Sequence, residues 1–237
     1  MTEQSDRQHD AFNNPAKMAC REGNLRVLRE AAYLLWEDSD RTRLRCDWCE
    51  LMGETGGLTL DLLERAGVLA TGGFVGIDLD AVRIANFRNQ RPDLKWVTGN
   101  VYEHLDAPEF ANVGILNLDE YGEVGHPDAM ADFLLLRGLI RQGLEKFGEF
   151  ALFWNQDLDA VVRRRRKRGE ALRQHAEQVC SALNQYLPRR ELTADMLLPT
   201  GAEELLESGF QGILGAFEIY RGSTNGHRMA NLRLLLR

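Results

Sequence analysis

The chain predicts an α/β fold, doubly wound around a mostly parallel seven-stranded sheet that ends in an antiparallel β-hairpin, with helices on both faces. Three observations carry that expectation. Short apolar runs alternate with helical patterns from residue 43 onward. A Gly-rich turn, Glu50-Leu-Met-Gly-Glu-Thr-Gly56, follows the first run, and the next run closes on Asp78. Near the C-terminus two strand patterns flank Gly222-Ser-Thr-Asn-Gly226, a loop of hairpin length.

Taken in order, Leu25, Leu28, Ala32 and Leu35 recur at helical spacing and predict one amphipathic helix over 16–37, ahead of the core domain. Residues 43–51 form the first expected strand, and Leu58 to Ala66 the helix after its glycine turn. Gly72 to Ile77 is the second strand, ending at Asp78. Ala81 to Arg91 is helical and stops before Pro92, which cannot continue a helix. Lys95 to Val97 and Val113 to Leu118 supply strands three and four. A long helix over 128–146 leads to a fifth strand, Glu149 to Trp154. A short helix, Ala202 to Ser208, then precedes the strands Gln211 to Tyr220 and Arg228 to Leu236. The expected domain spans 43–237, preceded by a helical extension over 1–42 and carrying a basic helical insertion at 157–200.

Composition narrows the function class. The 27% charged and 44% hydrophobic content is that of an ordinary globular domain. No apolar run approaches the ~20 residues that span a bilayer, and the polar N-terminus lacks a secretory core, so a cytoplasmic protein without membrane partners is expected. Four cysteines in a chain this long make no disulfide framework. Cys46 and Cys49 have knuckle spacing, but no second pair completes four ligands, and no metal site is expected. The net charge of −7 argues against a protein that coats nucleic acid over its whole surface. Residues 157–190, however, hold nine Lys/Arg against four Asp/Glu, a local basic patch on an acidic body.

The combination of motifs resembles the class I S-adenosylmethionine-dependent methyltransferases, which have five parallel strands followed by a reversed hairpin at the sheet edge. The likeness covers roughly residues 43–237. It implies S-adenosylmethionine as cofactor, with Glu50, Gly53 and Gly56 forming the first motif. Met52 and Glu54 stand where that motif usually has glycines. Val75-Gly-Ile-Asp-Leu-Asp80 resembles the second motif, placing Asp78 at the ribose hydroxyls and Leu79 in the cofactor site, while Asp80 has the position of a helix N-cap. Gly99-Asn-Val101 resembles the third motif; Asn100 and Val101 would meet the adenine, or Asn100 serves a turn. Asn117-Leu-Asp-Glu-Tyr-Gly122 resembles the fourth, beside the transferable methyl group, and is similar to the Asp-Pro-Tyr/Phe-Gly element of tRNA guanine-N2 methyltransferases, with Glu120 replacing the proline. That likeness implies catalytic roles for Asn117, Asp119 and Tyr121 and an exocyclic amine of a nucleic-acid base as acceptor. The alternative for Asp119 and Gly122 is a strand-end turn.

Upstream of a helical stripe in the insertion lies Arg163-Arg-Arg-Arg-Lys-Arg168. Arg163, Arg164, Arg165 and Arg166 are candidates for phosphate contacts with a nucleic-acid substrate, or else a solvated helix start. Two rival functions stay open. One is a non-catalytic binding or regulatory member of the same fold. The other is a dinucleotide-dependent oxidoreductase, disfavoured by the missing Gly-x-Gly-x-x-Gly spacing.

Overall fold

The computed structural model describes residues 15–53, 56–70, 73–119, 127–157, 177, 181, 184, 211–212, 215–221 and 228–237. Helix α1 (Pro15–Ala31) leads into strand β1 (Asp47–Leu51) and helix α2 (Gly56–Arg65). Strand β2 (Phe74–Asp78), helix α3 (Ala81–Gln90) and strand β3 (Lys95–Thr98) follow. After two 3₁₀ turns come β4 (Val113–Asp119), α4 (Pro127–Phe147) and β5 (Phe150–Asp157). The last described strands are β6 (Gln211–Gly212), β7 (Gly215–Arg221) and β8 (Arg228–Leu236).

These strands form one sheet in the order β3-β2-β1-β4-β5-β8-β7-β6. The five from β3 to β5 run parallel. Strand β8 then enters antiparallel beside β5, and β7 pairs antiparallel with β8. Reversal of strand order at β1, with a reversed strand slotted between the fifth strand and the edge, is the topology that the methyltransferase resemblance implies. The expected sixth strand, Gln211 to Tyr220, is split in two: Gln211–Gly212 folds back on Gly215–Arg221, giving the described sheet an eighth, two-residue edge strand.

Alternation along the strands sorts the core onto two faces. Cys49, Val75, Ile77, Leu116, Leu118, Leu152 and Trp154 pack with Leu136, Leu139 and Ile140 of α4. Trp48, Phe74, Trp96, Ile115 and Phe153 pack on the other face with Leu25 and Leu28 of α1, Leu60 and Leu63 of α2, and Ile84 of α3. Stacking of Trp48 on Phe153 at 5.5 Å, and of Phe87 on Trp96 at 5.3 Å, fills this second layer. Helix α1 is thus built into the same core as the sheet, consistent with its apolar stripe.

That helix ends sooner than its periodicity predicts. The amides of Tyr33 and Leu34 donate to Glu149 Oε2 at 2.8 and 2.7 Å instead of continuing the helical ladder. Glu149 is buried and also receives Arg237 Nε at 3.0 Å. A buried carboxylate gains far more from two amide donors than a surface helix gains from one more turn. The chain beyond Leu34 turns, and Trp36 bridges to Leu44. Residues 43–46, expected in the first strand, form this connection, with Arg45 N bonded to Leu35 O at 2.9 Å. The expected helix Ala202 to Ser208 lies outside the described residues.

Candidate functional site at the carboxyl ends of the strands

In a doubly wound sheet the ligand crevice lies beyond the carboxyl ends of the strands, where strand order reverses. Here that point is the end of β1, flanked by β2 and β4. The chain leaves β1 through Met52, whose amide donates to Ile77 O at 2.9 Å. Gly53 follows with φ of 42°, a left-handed conformation that favours glycine. Helix α2 then starts at Gly56, whose amide returns to Met52 O. Met52 occupies a position where the resembled motif has glycine, yet its side chain is fully buried within the α1–α3 face of the core. Gly56 makes that possible: a β-carbon there would stand 3.0 Å from Met52 Sδ. The side chain therefore turns inward, away from the crevice. Glu54, the other departure from the motif, lies outside the described residues.

Glu50 is sealed. Its carboxylate is fully buried and receives Trp48 Nε1 at 3.0 Å and Thr59 Oγ1 at 2.9 Å. The side-chain amide of Asn117 donates to both carboxylate oxygens, at 2.9 and 2.8 Å. Arg21 reaches in from α1, with Nη2 3.6 Å from Glu50 Oε1 and Nε donating to Thr59 Oγ1 at 2.6 Å. Glu50 and Asn117 are register partners on adjacent strands, so the fold brings together two residues that the motifs treat separately. The result is an interior anchor that ties α1, α2, β1 and β4 beneath the glycine turn. Arg21 was not singled out from sequence, although it falls four residues before Leu25 on the apolar stripe of α1. A cation on a buried stripe signals a buried acid to pair with.

This polar layer continues along the same face. Asn155, the register partner of Asp119, accepts from Asn231 Nδ2 at 2.5 Å and from Cys20 Sγ at 3.8 Å. Arg233 Nε donates to Asn24 Oδ1 at 2.8 Å. Helix α1 therefore rests on β5 and β8 through buried hydrogen bonds as well as apolar packing.

At the end of β2, Asp78 and Asp80 divide the work as their positions suggest. Asp80 Oδ1 accepts the amides of Val82 and Arg83 at 2.9 and 3.1 Å, capping α3. Asp78 Oδ1 accepts the amide of Asp80 at 2.8 Å, and its Oδ2 receives Arg83 Nη1 at 2.6 Å. Leu79, between them, projects an exposed apolar side chain at the crevice. Asn100 caps the 3₁₀ turn Val101–Glu103 by accepting Tyr102 N at 3.1 Å, which is the turn role open to it. Val101 is buried in the core on the α4 face. Asp119 ends β4 at the crevice. Tyr121 and Arg163 to Arg166 lie outside the described residues.

Cys46 and Cys49 are packed as apolar groups, and burial pushes both thiols up, with neighbouring acids adding to the effect. Among the described residues no cluster of three His, Cys, Asp or Glu could hold a metal ion, and no helix is long and apolar enough to cross a membrane. A cavity of about 530 Å³ opens between α2 and α3, from Gly53 and Gly57 to Arg91. Arg83 forms part of its wall, and Glu64 pairs with Arg91 across it.

No protein-family model matches this chain, and no curated protein matches it in sequence. Among solved structures it is similar to the CMeT domain of the citrinin polyketide synthase, at 15% identity and a TM-score of 0.41, over 81% of this chain and 46% of that one. The plantazolicin methyltransferase BamL, solved with a triazolic desmethylPZN analog and SAH, matches at 11% identity and a TM-score of 0.42, over 96% and 94% of the two chains. TrmN from Thermus thermophilus matches at 12% identity and 0.39, over 97% of this chain and 52% of TrmN. The chain thus spans about half the length of the first and third. Likeness at this level carries no functional inference.

Proposed function

We propose that this protein binds S-adenosylmethionine at the carboxyl ends of β1 to β3 and transfers its methyl group. One observation carries this reading: an acid, Asp78, ends the second strand of a sheet whose order reverses at β1 and whose edge is a reversed hairpin. The residues fit the group. The Gly53 turn leaves its backbone open, with nothing within 4 Å of where a β-carbon would stand. Asp78 places a carboxylate, held by Asp80 N and Arg83 in this structure, at the end of β2 for ribose hydroxyls, and Leu79 offers an exposed apolar side chain for the base. Glu50 supports the turn from below.

The cofactor, when bound, supplies an electrophilic methyl group on a sulfonium. The chain's task is then alignment and exclusion of water rather than acid–base chemistry of its own. Asn117 acts indirectly, by holding Glu50. Asp119, at the end of β4, accepts a hydrogen bond from an attacking amine, and Tyr121 stacks on a planar acceptor. An exocyclic amine of a nucleic-acid base is the acceptor we favour, with Arg163 to Arg166 meeting phosphates. Support for that acceptor is the sequence Asp119-Glu-Tyr and the basic run alone.

A second reading has its own observation. The acid of the first motif is buried against Arg21, Trp48, Thr59 and Asn117, as suits a scaffold that keeps the fold without the reaction. Incubating the protein with S-[methyl-³H]adenosylmethionine and, separately, tRNA, DNA and small amines separates the two. Label transferred to any acceptor, and lost in Asp119→Ala, supports the enzyme. Cofactor binding without transfer to any pool favours the scaffold.

A further inference from the structure

We infer that Arg83 is a built-in competitor of the cofactor ribose, a latch that holds Asp78 closed until the ribose hydroxyls replace it. The inference rests on the proposed S-adenosylmethionine site. Both oxygens of Asp78 are engaged within the chain: Oδ1 by the amide of Asp80, and Oδ2 by Arg83 Nη1 at 2.6 Å. The Arg83 fork also leans on Asp80, with Nη2 3.7 Å from Oδ2. Only 10% of the Asp78 side chain is exposed, so the guanidinium covers the acceptor that a ribose diol would need.

The position of Arg83 is otherwise unfavourable. It lies in the first turn of α3, where the helix dipole disfavours a cation. The two aspartates offset that cost, which identifies them as the reason for a cation there. Arg83 also has somewhere to go. It walls the cavity of about 530 Å³ between α2 and α3, and the opposite wall carries Asp61 and Glu64. Rotation of the side chain toward that wall would exchange its aspartate partners for Asp61, Glu64 being held by Arg91, while Asp78 is released to the crevice. A site competent in only a fraction of molecules binds with an affinity lowered by that fraction.

The sign of the effect separates a latch from a support. If Arg83 merely orients Asp78, its removal weakens binding; if it competes, removal tightens binding. The test is calorimetric titration of S-adenosylhomocysteine into the wild type, Arg83→Gln and Arg83→Lys, with thermal melts to verify folding. Adenosine and 2′,3′-dideoxyadenosine are compared in each protein. A partly exposed ion pair sets the expected scale: Arg83→Gln binds S-adenosylhomocysteine about two- to fivefold more tightly, with Arg83→Lys between. The gain persists for adenosine and vanishes for the dideoxy compound, which has no hydroxyls to claim Asp78. Binding by Arg83→Gln alone also supports the latch. Equal or weaker binding by Arg83→Gln, beside clear binding by the wild type, overturns the latch and leaves the cofactor site standing. No binding by any of the three overturns both.

Discussion

Replacing Arg21 with Met tests whether the buried anchor beneath the glycine turn holds the fold together. Arg21 is 3% exposed and Glu50 fully buried, so water screens their interaction little. At 3.6 Å and an effective dielectric constant of about 20, two unit charges attract by about 4–5 kcal/mol. Desolvating both offsets much of that in the folded protein, but Arg21→Met removes the attraction and the hydrogen bond to Thr59 while leaving the cost of burying Glu50 in place. Glu50 keeps Trp48, Thr59 and Asn117 as donors, while its charge stays buried. Met preserves the length of the apolar stem. The expected loss is about 3–5 kcal/mol, the usual range when one partner of a buried pair is removed. Urea titration followed by tryptophan fluorescence measures it, since Trp48 donates to Glu50 directly. The companion change Glu50→Gln is costly for the same reason. The double variant is expected to lose at least about 2 kcal/mol less than the two single losses summed. A loss below about 1 kcal/mol for Arg21→Met, or strict additivity in the cycle, would refute this account of the anchor.

Other consequences follow from packing and from titration. Gly76 lies under Trp96, and Gly76→Ala would drive a β-carbon into the indole ring. Overpacking of this kind costs about 1–3 kcal/mol, and a chemical-denaturation midpoint unchanged from wild type would contradict the placement. Burial raises the Cys46 and Cys49 thiols, so the folded chain holds their protons while the unfolded chain releases them from about pH 9 upward. Stability is therefore complete below that pH and falls as pH rises through it. The Cys46→Ala/Cys49→Ala variant is expected to show a flatter profile between pH 7 and 10. Parallel profiles for the two proteins would show that the thiols are not what titrates.

Much of the fold was legible because its cues are local. Gly72 to Ile77 is a short apolar run ended by Asp78, and β2 (Phe74–Asp78) falls on it; Asp80 precedes a helix and caps it. Gly222 to Gly226 separates strand patterns that do pair antiparallel in the sheet. What stayed hidden depends on partners far along the chain. The end of α1 is set by Glu149, more than a hundred residues away, whose carboxylate takes the amides of Tyr33 and Leu34. Glu50 reads as a cofactor residue from its motif, yet partners from α1, α2 and β4 close around it. Met52 looks like an obstruction in the motif, and only the room left by Gly56 turns it into core. The Asp78–Arg83 pair had a signal, a cation in the first turn of a helix that follows an acid.

The most direct test of the central claim is a calorimetric titration of S-adenosylmethionine into the wild type and Asp78→Ala. Asp80, not Asp78, caps α3, and thermal melts verify that the variant folds without the Asp78 contacts to Asp80 N and Arg83. Micromolar binding by the wild type, lost or weakened at least tenfold in Asp78→Ala, is the predicted result. No heat from folded wild-type protein, or equal affinity in the two proteins, would contradict the claim that the carboxyl end of β2 holds the cofactor.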